Sequence, residues 1–298
     1  MAKAALTTGP SDHNAPLVSS NDVARARPLA WSRIAMGTLF LVRTTPLVDW
    51  LGFPFFIPSH PLFGWPDGRW NGASWWSFPP LLVACLCVLR TLAAAFFLVG
   101  FHTRAAGLAA GIAGYLVLLQ QPLGFVFTIH LLYQGTMLLA LTDAGSSLAL
   151  RPAPATAPAS GVLLVRLFLA SIYAWAGIFK LRADWLDGRA LGLFITDGAF
   201  ASWATRTMLS TPTERALCAI SVTVVELALP FLLLLPRARV LGLVAALGLH
   251  AIIELVARPD LLGWEMGALL LALWPASDGS RQGEITQGRA AAGQPTSP

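Results

Sequence analysis

A long apolar run that begins near residue 161 ends in the stretch Tyr173-Ala-Trp-Ala-Gly-Ile-Phe-Lys180-Leu-Arg-Ala-Asp184-Trp185-Leu-Asp-Gly188. A run of this length is typical of a helix that crosses a bilayer, which needs about 17 to 25 mainly apolar residues. Lys180 is then at membrane depth, where loss of hydration disfavours the ammonium and can make the neutral amine available as a base. The alternative is structural, with Lys180 as a snorkelling residue that ends the span.

The whole chain has the composition of an integral membrane protein. Hydrophobic residues make up 56% of its 298 residues and charged residues only 12%, and its mean hydropathy is +0.66. Soluble domains carry about 25% charged residues. The long runs lack the alternation of a membrane barrel, so helices are what satisfies the backbone in lipid. The sequence therefore predicts an all-α, polytopic transmembrane helical bundle of about eight helices.

Seven runs have the length of a span, and an eighth, residues 261–275, is short and either crosses untilted or forms a re-entrant helix. The seven are residues 29–47, 78–100, 103–120, 126–143, 161–180, 214–236 and 239–257. Together they predict one transmembrane domain, residues 29–276, with a Pro/Ala linker at 151–160 between its halves. Residues 1–28 and 277–298 are predicted as disordered tails, the first of them cytoplasmic.

Positive charges set the expected orientation. With the amino terminus inside, most loop Lys and Arg residues face the cytoplasm, as the positive-inside rule requires. These residues are Lys3, Arg25, Arg27, Arg104, Arg151, Arg237, Arg239, Arg281 and Arg289. The protein is therefore expected in a cell inner membrane with the lipid bilayer as its partner and Lys180 toward the outer leaflet. A net charge of +5 is what such loops produce and indicates no nucleic-acid partner.

The loop after the first predicted span is rich in tryptophan. Because Trp favours the headgroup region, an aromatic belt is the first interpretation. The second is a lid or an entry path for a lipid-soluble ring compound. The tryptophans concerned are Trp50, Trp65, Trp70, Trp75 and Trp76.

Ionisable residues at membrane depth are costly in lipid, so each is a functional-site hypothesis. His250 and Glu254 are four residues apart on one helix face, where the carboxylate could fix the tautomer of the ring. A lone histidine such as His130 is otherwise more often a satisfied interhelical hydrogen bond. Arg90 and Arg166 are expected to pair with Glu226 or with helix ends.

Other familiar chemistry has no sequence support. Cys85, Cys87 and Cys218 form neither a disulfide framework nor a metal-binding pattern, so no metal is expected. The chain also lacks a phosphate-binding Gly loop, a Gly-x-Ser-x-Gly elbow and a His-Glu-x-x-His pair.

The stretch around Lys180 resembles a family signature. Its pattern, Ala-Gly-x-x-Lys-Leu-x-x-Asp-Trp-x-x-Gly, is similar to that of the vitamin K-dependent gamma-carboxylase-like transmembrane family, whose bacterial members are grouped as horizontally transferred transmembrane (HTTM) domain proteins. Three other places agree in order and spacing, over about residues 30 to 275. They are Gly100-Phe-His-Thr-Arg104; His130 followed by Gly135 and Asp143; and Glu226 followed by Pro236-Arg-Ala-Arg239 and Leu249-His250.

The resemblance implies an enzyme whose lysine deprotonates reduced vitamin K. In the family's carboxylases oxygen then adds, an epoxide and a strongly basic alkoxide form, and that base removes a gamma proton from a peptide glutamate, which captures carbon dioxide. Reduced vitamin K or menaquinol is the implied cofactor. The implied catalytic residues are Lys180 as base, with His130, His250 and Glu226. The implied cofactor-binding residues are Tyr173, Asp184, Trp185 and Glu254.

This chain departs from those carboxylases in two ways. They carry two adjacent lysines where this chain has Phe179-Lys180, and a large peptide-recognition domain follows their spans, whereas this chain stops soon after Trp274. A peptide substrate would therefore need a partner protein. Three interpretations stay open: a quinol-dependent oxygenase or carboxylase-like lyase; a membrane scaffold or a maturation or immunity factor for a secreted peptide; and a small transporter, ranked last for want of inverted repeats.

Overall fold

The computed structural model describes residues 20–44, 78–118, 127–152, 160–196, 203–256 and 261–274. Within these ranges the chain is all-helical, as predicted, and forms eleven helices. They are α1 Ser20–Thr44, α2 Pro80–Val99, α3 Thr103–Leu118, α4 Phe127–Ala140, α5 Ser160–Phe179, α6 Ala183–Leu186, α7 Arg189–Thr196, α8 Trp203–Met208, α9 Pro212–Leu234, α10 Arg239–Val256 and α11 Leu262–Leu271. The tryptophan-rich loop 48–77, residues 153–159 of the predicted linker and residues 277–298 lie outside the described residues.

Each predicted span overlaps one of these helices. Among the described residues, three helical segments are long and apolar enough to cross a membrane: Pro80–Val99, Gly161–Phe179 and Pro212–Leu234. The total of about eight crossings stays a prediction. α1 begins at Ser20, earlier than the span predicted from residue 29, because hydropathy marks only the apolar part of a helix. The connection between α5 and α9 holds the short helices α6, α7 and α8.

Local sequence explains where the long helices begin and end. α9 starts with a capping box, in which the Thr211 side chain accepts from the Glu214 N–H and the Glu214 carboxylate accepts from the Thr211 N–H. Pro212 at the first position needs no hydrogen-bond acceptor. α2 ends at Gly100, whose φ of 76° is left-handed and lets its N–H reach back to the carbonyls of the last turn.

Small residues bring the first half of the bundle together. α3 packs against both α2 and α4, and its glycines leave no room for a side chain. A Cβ added to Gly107 would lie 2.6 Å from the Cβ of Ala140, and one added to Gly114 would lie 2.6 Å from Tyr133 Cε1. Close backbone approach at small residues is a usual way for membrane helices to associate.

Buried arginines make hydrogen bonds at the helix ends and between helices. Arg33 of α1 is fully buried and donates to the carbonyls of Ala144 and Leu148, which follow α4. Arg90 of α2 donates to the Tyr133 hydroxyl at 3.1 Å. The expected pairing of Arg90 with Glu226 is therefore wrong, because Glu226 pairs with Lys180.

The second half of the bundle is built on α9, which packs against α5, α6, α7 and α10. α5 and α9 approach closely at Gly177, where an added Cβ would lie 2.8 Å from the Leu227 side chain. The outer sides of these helices expose large apolar side chains such as Phe231, as expected of surfaces that face lipid. This packing brings the end of α5 beside the middle of α9.

Candidate functional site

A cavity of about 760 Å³ lies between α4, α5, α9, α10 and α11, with side chains of α6, α7 and α8 completing its wall. Most of its lining side chains are apolar. Six of the eight residues predicted for the site line it: His130, Tyr173, Lys180, Trp185, Glu226 and His250. Asp184 and Glu254 are not among the lining residues. The cavity thus brings together predicted side chains from five helices, α4, α5, α6, α9 and α10, and Lys180 from the turn after α5.

Lys180 and Glu226 form the central polar contact of the cavity. Nζ of Lys180 donates to both carboxylate oxygens of Glu226, at 2.8 Å from Oε1 and 2.7 Å from Oε2. The lysine follows the last residue of α5, so its side chain reaches across to α9. The Glu226 side chain is only 8% exposed and that of Lys180 21%. The pair is therefore largely shielded from solvent, which strengthens the attraction between the two charges.

Trp185 holds the other side of the lysine. Its ring centroid lies 5.2 Å from Nζ of Lys180, within the range of a cation–π contact. Its indole N–H donates to the Ala219 carbonyl of α9 at 3.3 Å. Gly188 then turns the chain with a φ of 78°, and a Cβ there would lie 2.6 Å from the Ala216 nitrogen. The Lys-x-x-x-x-Trp-x-x-Gly spacing thus folds the turn back onto α9.

His250 of α10 is 7% exposed and is held by α5. Its Nε2 and the Tyr173 hydroxyl are hydrogen-bonded at 3.0 Å, and its Nδ1 has no hydrogen-bond partner in the described part of the chain. Glu254 does not fix the ring as expected. Its Oε1 accepts from the Gly263 N–H at 2.9 Å, in the first turn of α11.

His130 is paired with a residue that the sequence analysis missed. The Tyr115 hydroxyl of α3 lies 2.6 Å from Nδ1 of His130. The chain has only three tyrosines, and each contacts an ionisable side chain: Tyr115 with His130, Tyr133 with Arg90, and Tyr173 with His250. A tyrosine hydroxyl in an apolar helix needs a hydrogen-bond partner. Because tyrosine is rare in this sequence, each tyrosine was a signal of a polar contact at its position.

The HTTM domain model matches residues 28–273. The chain belongs to the HTTM domain family. No curated protein and no solved structure matches it. The matched range includes every residue of the cavity, and with the long apolar helices it identifies a membrane protein of this family.

Asp184 of this HTTM protein faces away from the cavity, although it lies in the same motif as Lys180. Its carboxylate accepts from the Arg182 guanidinium at 2.8 Å, and both side chains are exposed. This hydrogen bond holds the pKa of the Asp184 carboxyl below its usual range. A direct contact between Asp184 and a ligand in the cavity has no support from this geometry.

Further polar groups reach the cavity that the sequence analysis did not single out. Gln134 of α4 and Ser171 of α5 are among them, with Thr205 of α8 and Cys218 of α9. No three His, Cys, Asp or Glu side chains within the described ranges are placed to hold a metal ion. The cavity of this HTTM protein therefore presents an acid–base pair, two histidines and a few neutral polar groups to an apolar space.

Proposed function

We propose that this HTTM protein binds a lipid-soluble quinol, such as reduced vitamin K or menaquinol, and uses Lys180 as a base in an oxygen-dependent reaction. The observation that carries the proposal is the position of the Lys180–Glu226 pair on the wall of a largely apolar cavity of about 760 Å³. Pockets for small molecules typically have about 300 to 1,000 Å³ and a few polar groups among apolar ones.

The residues present fit a quinol. An aromatic ring with an isoprenoid tail needs apolar contact, which side chains such as Phe168, Ile172 and Ile253 would supply. Its two oxygens need hydrogen-bonding groups. Nδ1 of His250 is buried and has no hydrogen-bond partner among the described residues, which is costly unless a ligand satisfies it. His130 and Lys180 also line the cavity.

Lys180 and Glu226 can move a proton together. Proton transfer from the Lys180 ammonium to the Glu226 carboxylate converts two charges into two neutral groups, which a low-dielectric site favours. Lys180 then presents a neutral amine that accepts a proton at Nζ, while Glu226 retains the first proton at a carboxyl oxygen. The Trp185 ring lies 5.2 Å from Nζ of Lys180 and places an apolar surface beside the amine. Tyr173 orients the His250 ring.

The quinol, when bound, would supply the electrons that reduce molecular oxygen. The family resemblance extends the proposal to a carboxylase-like reaction on a glutamate, with the peptide presented by a partner protein. The chain's own part in either reaction is the same: binding in the cavity and proton transfer at Nζ of Lys180.

The test separates binding from turnover. The purified protein would be incubated with reduced vitamin K or menaquinol under oxygen, with quinone epoxide measured by mass spectrometry and binding by quenching of tryptophan fluorescence. Lys180→Arg keeps the charge facing Glu226 but not an amine that deprotonates readily, so we expect binding without epoxide. Arg189→Gln removes a cation outside the cavity and should behave as wild type. Binding without epoxide in the wild type would overturn the base assignment, and absence of binding would overturn the site.

A non-catalytic scaffold is the second candidate, favoured by one observation. Both oxygens of Glu226 are occupied by Lys180, so the pair also cross-links α5 to α9. On this proposal the protein presents a secreted peptide to other factors, and Lys180→Arg retains full function. If the wild type forms quinone epoxide and Lys180→Arg does not, the scaffold proposal is excluded.

A further inference from the structure

Gln134 of α4 is a polar side chain on the cavity wall that the protein itself leaves unused. It lines the cavity, is more than half-buried and makes no side-chain hydrogen bond within the described residues. A primary amide has an acceptor oxygen and two N–H donors. Keeping such a group in a mainly apolar space without partners is costly. A ligand that binds the amide would remove this cost.

The other strong hydrogen-bonding side chains of the cavity already have contacts within the protein. The Lys180 ammonium donates to Glu226, and the Ser171 hydroxyl donates to the Phe168 carbonyl at 2.7 Å. The remaining imidazole, hydroxyl and indole groups are engaged as well: His130 with Tyr115, Tyr173 with His250, Trp185 with the Ala219 carbonyl, and Thr205. Gln134 is therefore distinguished from them as an amide that is available to a ligand.

Gln134 and Lys180 lie at opposite ends of the cavity. Gly161, at the start of α5, lies against Thr142 just past the end of α4, where an added Cβ would be 3.2 Å from Cα of Thr142. The two helices therefore run away from this contact side by side. Lys180 is nineteen residues along α5 and Gln134 only eight residues back along α4, a difference of about 16 Å in depth. Nζ of Lys180 reaches back to the Ala176 carbonyl at 3.5 Å, and the Gln134 side chain leans toward the start of α4, so the two groups extend toward each other.

The two ends of the cavity match a ring that carries oxygens in para positions. One oxygen would face the Lys180–Glu226 pair and the other the Gln134 amide, while the ring contacts apolar side chains such as Phe168 and Ile172 of α5. A monophenol has one oxygen and would leave one end without a partner. The amide also suits both oxidation states, because its oxygen accepts from a quinol hydroxyl and its N–H groups donate to a quinone carbonyl.

We propose that Gln134 binds the ring oxygen opposite the one that Lys180 deprotonates, and that it thereby selects para-quinols and their oxidised forms over monophenols. A site that is built to bond a hydroxyl or a carbonyl discriminates against the analogue that lacks it, because its own polar group is then left unpaired. A carboxylate at this position would accept without donating, and an ammonium would donate without accepting. This inference rests on the proposed quinol function and adds a specificity-determining residue to the same site.

The test compares two ligands that differ in one oxygen. The full chain, purified in detergent, would be titrated by calorimetry under argon with 2,3-dimethyl-1,4-naphthoquinol and with 2,3-dimethyl-1-naphthol. The methyl groups prevent addition of the Cys218 thiol to the oxidised ring. We expect the wild type to bind the quinol about tenfold more tightly, because the naphthol leaves the buried amide unpaired. Gln134→Met keeps an unbranched side chain and should bind both ligands equally, whereas Leu138→Met, in the same helix, should behave as the wild type.

An infrared measurement separates a ligand contact from a change in folding. When 2,3-dimethyl-1,4-naphthoquinone is bound, the carbonyl that faces Gln134 should stretch at a lower frequency than in detergent alone, and Gln134→Met should lack this shift. The ligand-free Tm of the variant should equal that of the wild type, since no described residue bonds to the amide. Equal affinity of the wild type for the two ligands, or an unchanged preference in Gln134→Met, would overturn the inference and leave the quinol proposal intact. Absence of quinol binding in the wild type would overturn both.

Discussion

Lys180 and Glu226 lie 46 residues apart in the sequence and meet through both carboxylate oxygens, at 2.7 and 2.8 Å from Nζ. The contact joins the turn after α5 to the interior of α9. Since the glutamate is 8% and the lysine 21% exposed, the two charges depend on each other. Whether Lys180 acts as a base or the pair only cross-links α5 and α9, its removal should change the stability of the protein, which can be measured separately from catalysis.

Removing one partner of this pair should destabilise the protein more than removing both. Glu226→Leu leaves the Lys180 ammonium without its partner, and we expect a loss of about 3 kcal/mol in the free energy of unfolding. The double variant Lys180→Met/Glu226→Leu should lose less than Glu226→Leu alone, because it leaves no partly buried charge without a partner. Thermal unfolding in detergent measures this cycle, and strictly additive losses would contradict the coupling.

Trp185 should matter for the position of Lys180 through its ring more than through its N–H. Trp185→Ala removes the cation–π contact at 5.2 Å and the hydrogen bond to the Ala219 carbonyl. Trp185→Phe retains a ring beside Nζ. We expect Trp185→Ala to be the less stable of the two by about 1 kcal/mol and to lose more quinone affinity. Identical Tm and affinity in both variants would show that the ring does not hold Lys180.

Asp184→Asn should have no measurable effect on Tm at neutral pH, because the carboxylate and its ion-pair partner Arg182 are both exposed. Arg182 holds the pKa of Asp184 below its usual range. A lowered folded-state pKa contributes stability above the unfolded pKa and loses it as pH falls through the folded value. Any difference between wild type and Asp184→Asn should therefore be constant from pH 6 to 8 and shrink below about pH 4. A large difference at pH 7 would indicate a contact with the cavity.

Tyr173→Phe should leave the buried His250 ring without its hydrogen bond. The hydroxyl lies 3.0 Å from Nε2, and Nδ1 has no partner in the described structure. We expect a loss of about 1 to 2 kcal/mol. The double variant Tyr173→Phe/His250→Phe replaces both groups by apolar ones and should recover part of this loss. A stability of Tyr173→Phe equal to wild type would mean that the contact is not important to folding.

Glu254 and Gly263 should behave as one unit. The Glu254 carboxylate accepts from the Gly263 N–H, and a Cβ on Gly263 would lie 2.6 Å from Glu254 Cγ. Gly263→Ala therefore displaces the carboxylate that caps α11, and Glu254→Ala removes it. Each should cost about 1 kcal/mol, and the double variant should cost little more than either. Additive losses of stability in the double variant would mean that Gly263→Ala acts through a contact other than the one with Glu254.

The helices in the apolar runs were predictable because hydropathy is local, whereas the short helices α6, α7 and α8 were not predicted. The run before Lys180 yields α5, and the sequence around Pro212 marks the start of α9. The first residue of α1 was not predictable in this way, because its first turns are polar and the helix extends beyond the apolar segment.

Some of the residues that line the cavity could be predicted from the sequence. The family signature and the cost of intramembrane charge pointed to Lys180, Glu226 and His250, all of which line one space. The hydrogen-bond partners of these residues were harder to predict from the sequence. Glu254 is close to His250 in sequence and on the same helix, yet its carboxylate caps α11, and His250 is held by Tyr173 from a helix 77 residues away.

Composition, run length and motif spacing alone established an all-helical membrane protein with a lysine-centred motif, because each of these depends on neighbouring residues and on the polarity of the solvent. Only the packing of α5, α9 and α10 determined that Lys180 faces Glu226 and that Tyr173 binds His250. Such contacts join residues distant in sequence, and they depend on the rotation and depth of each helix, which hydropathy does not specify.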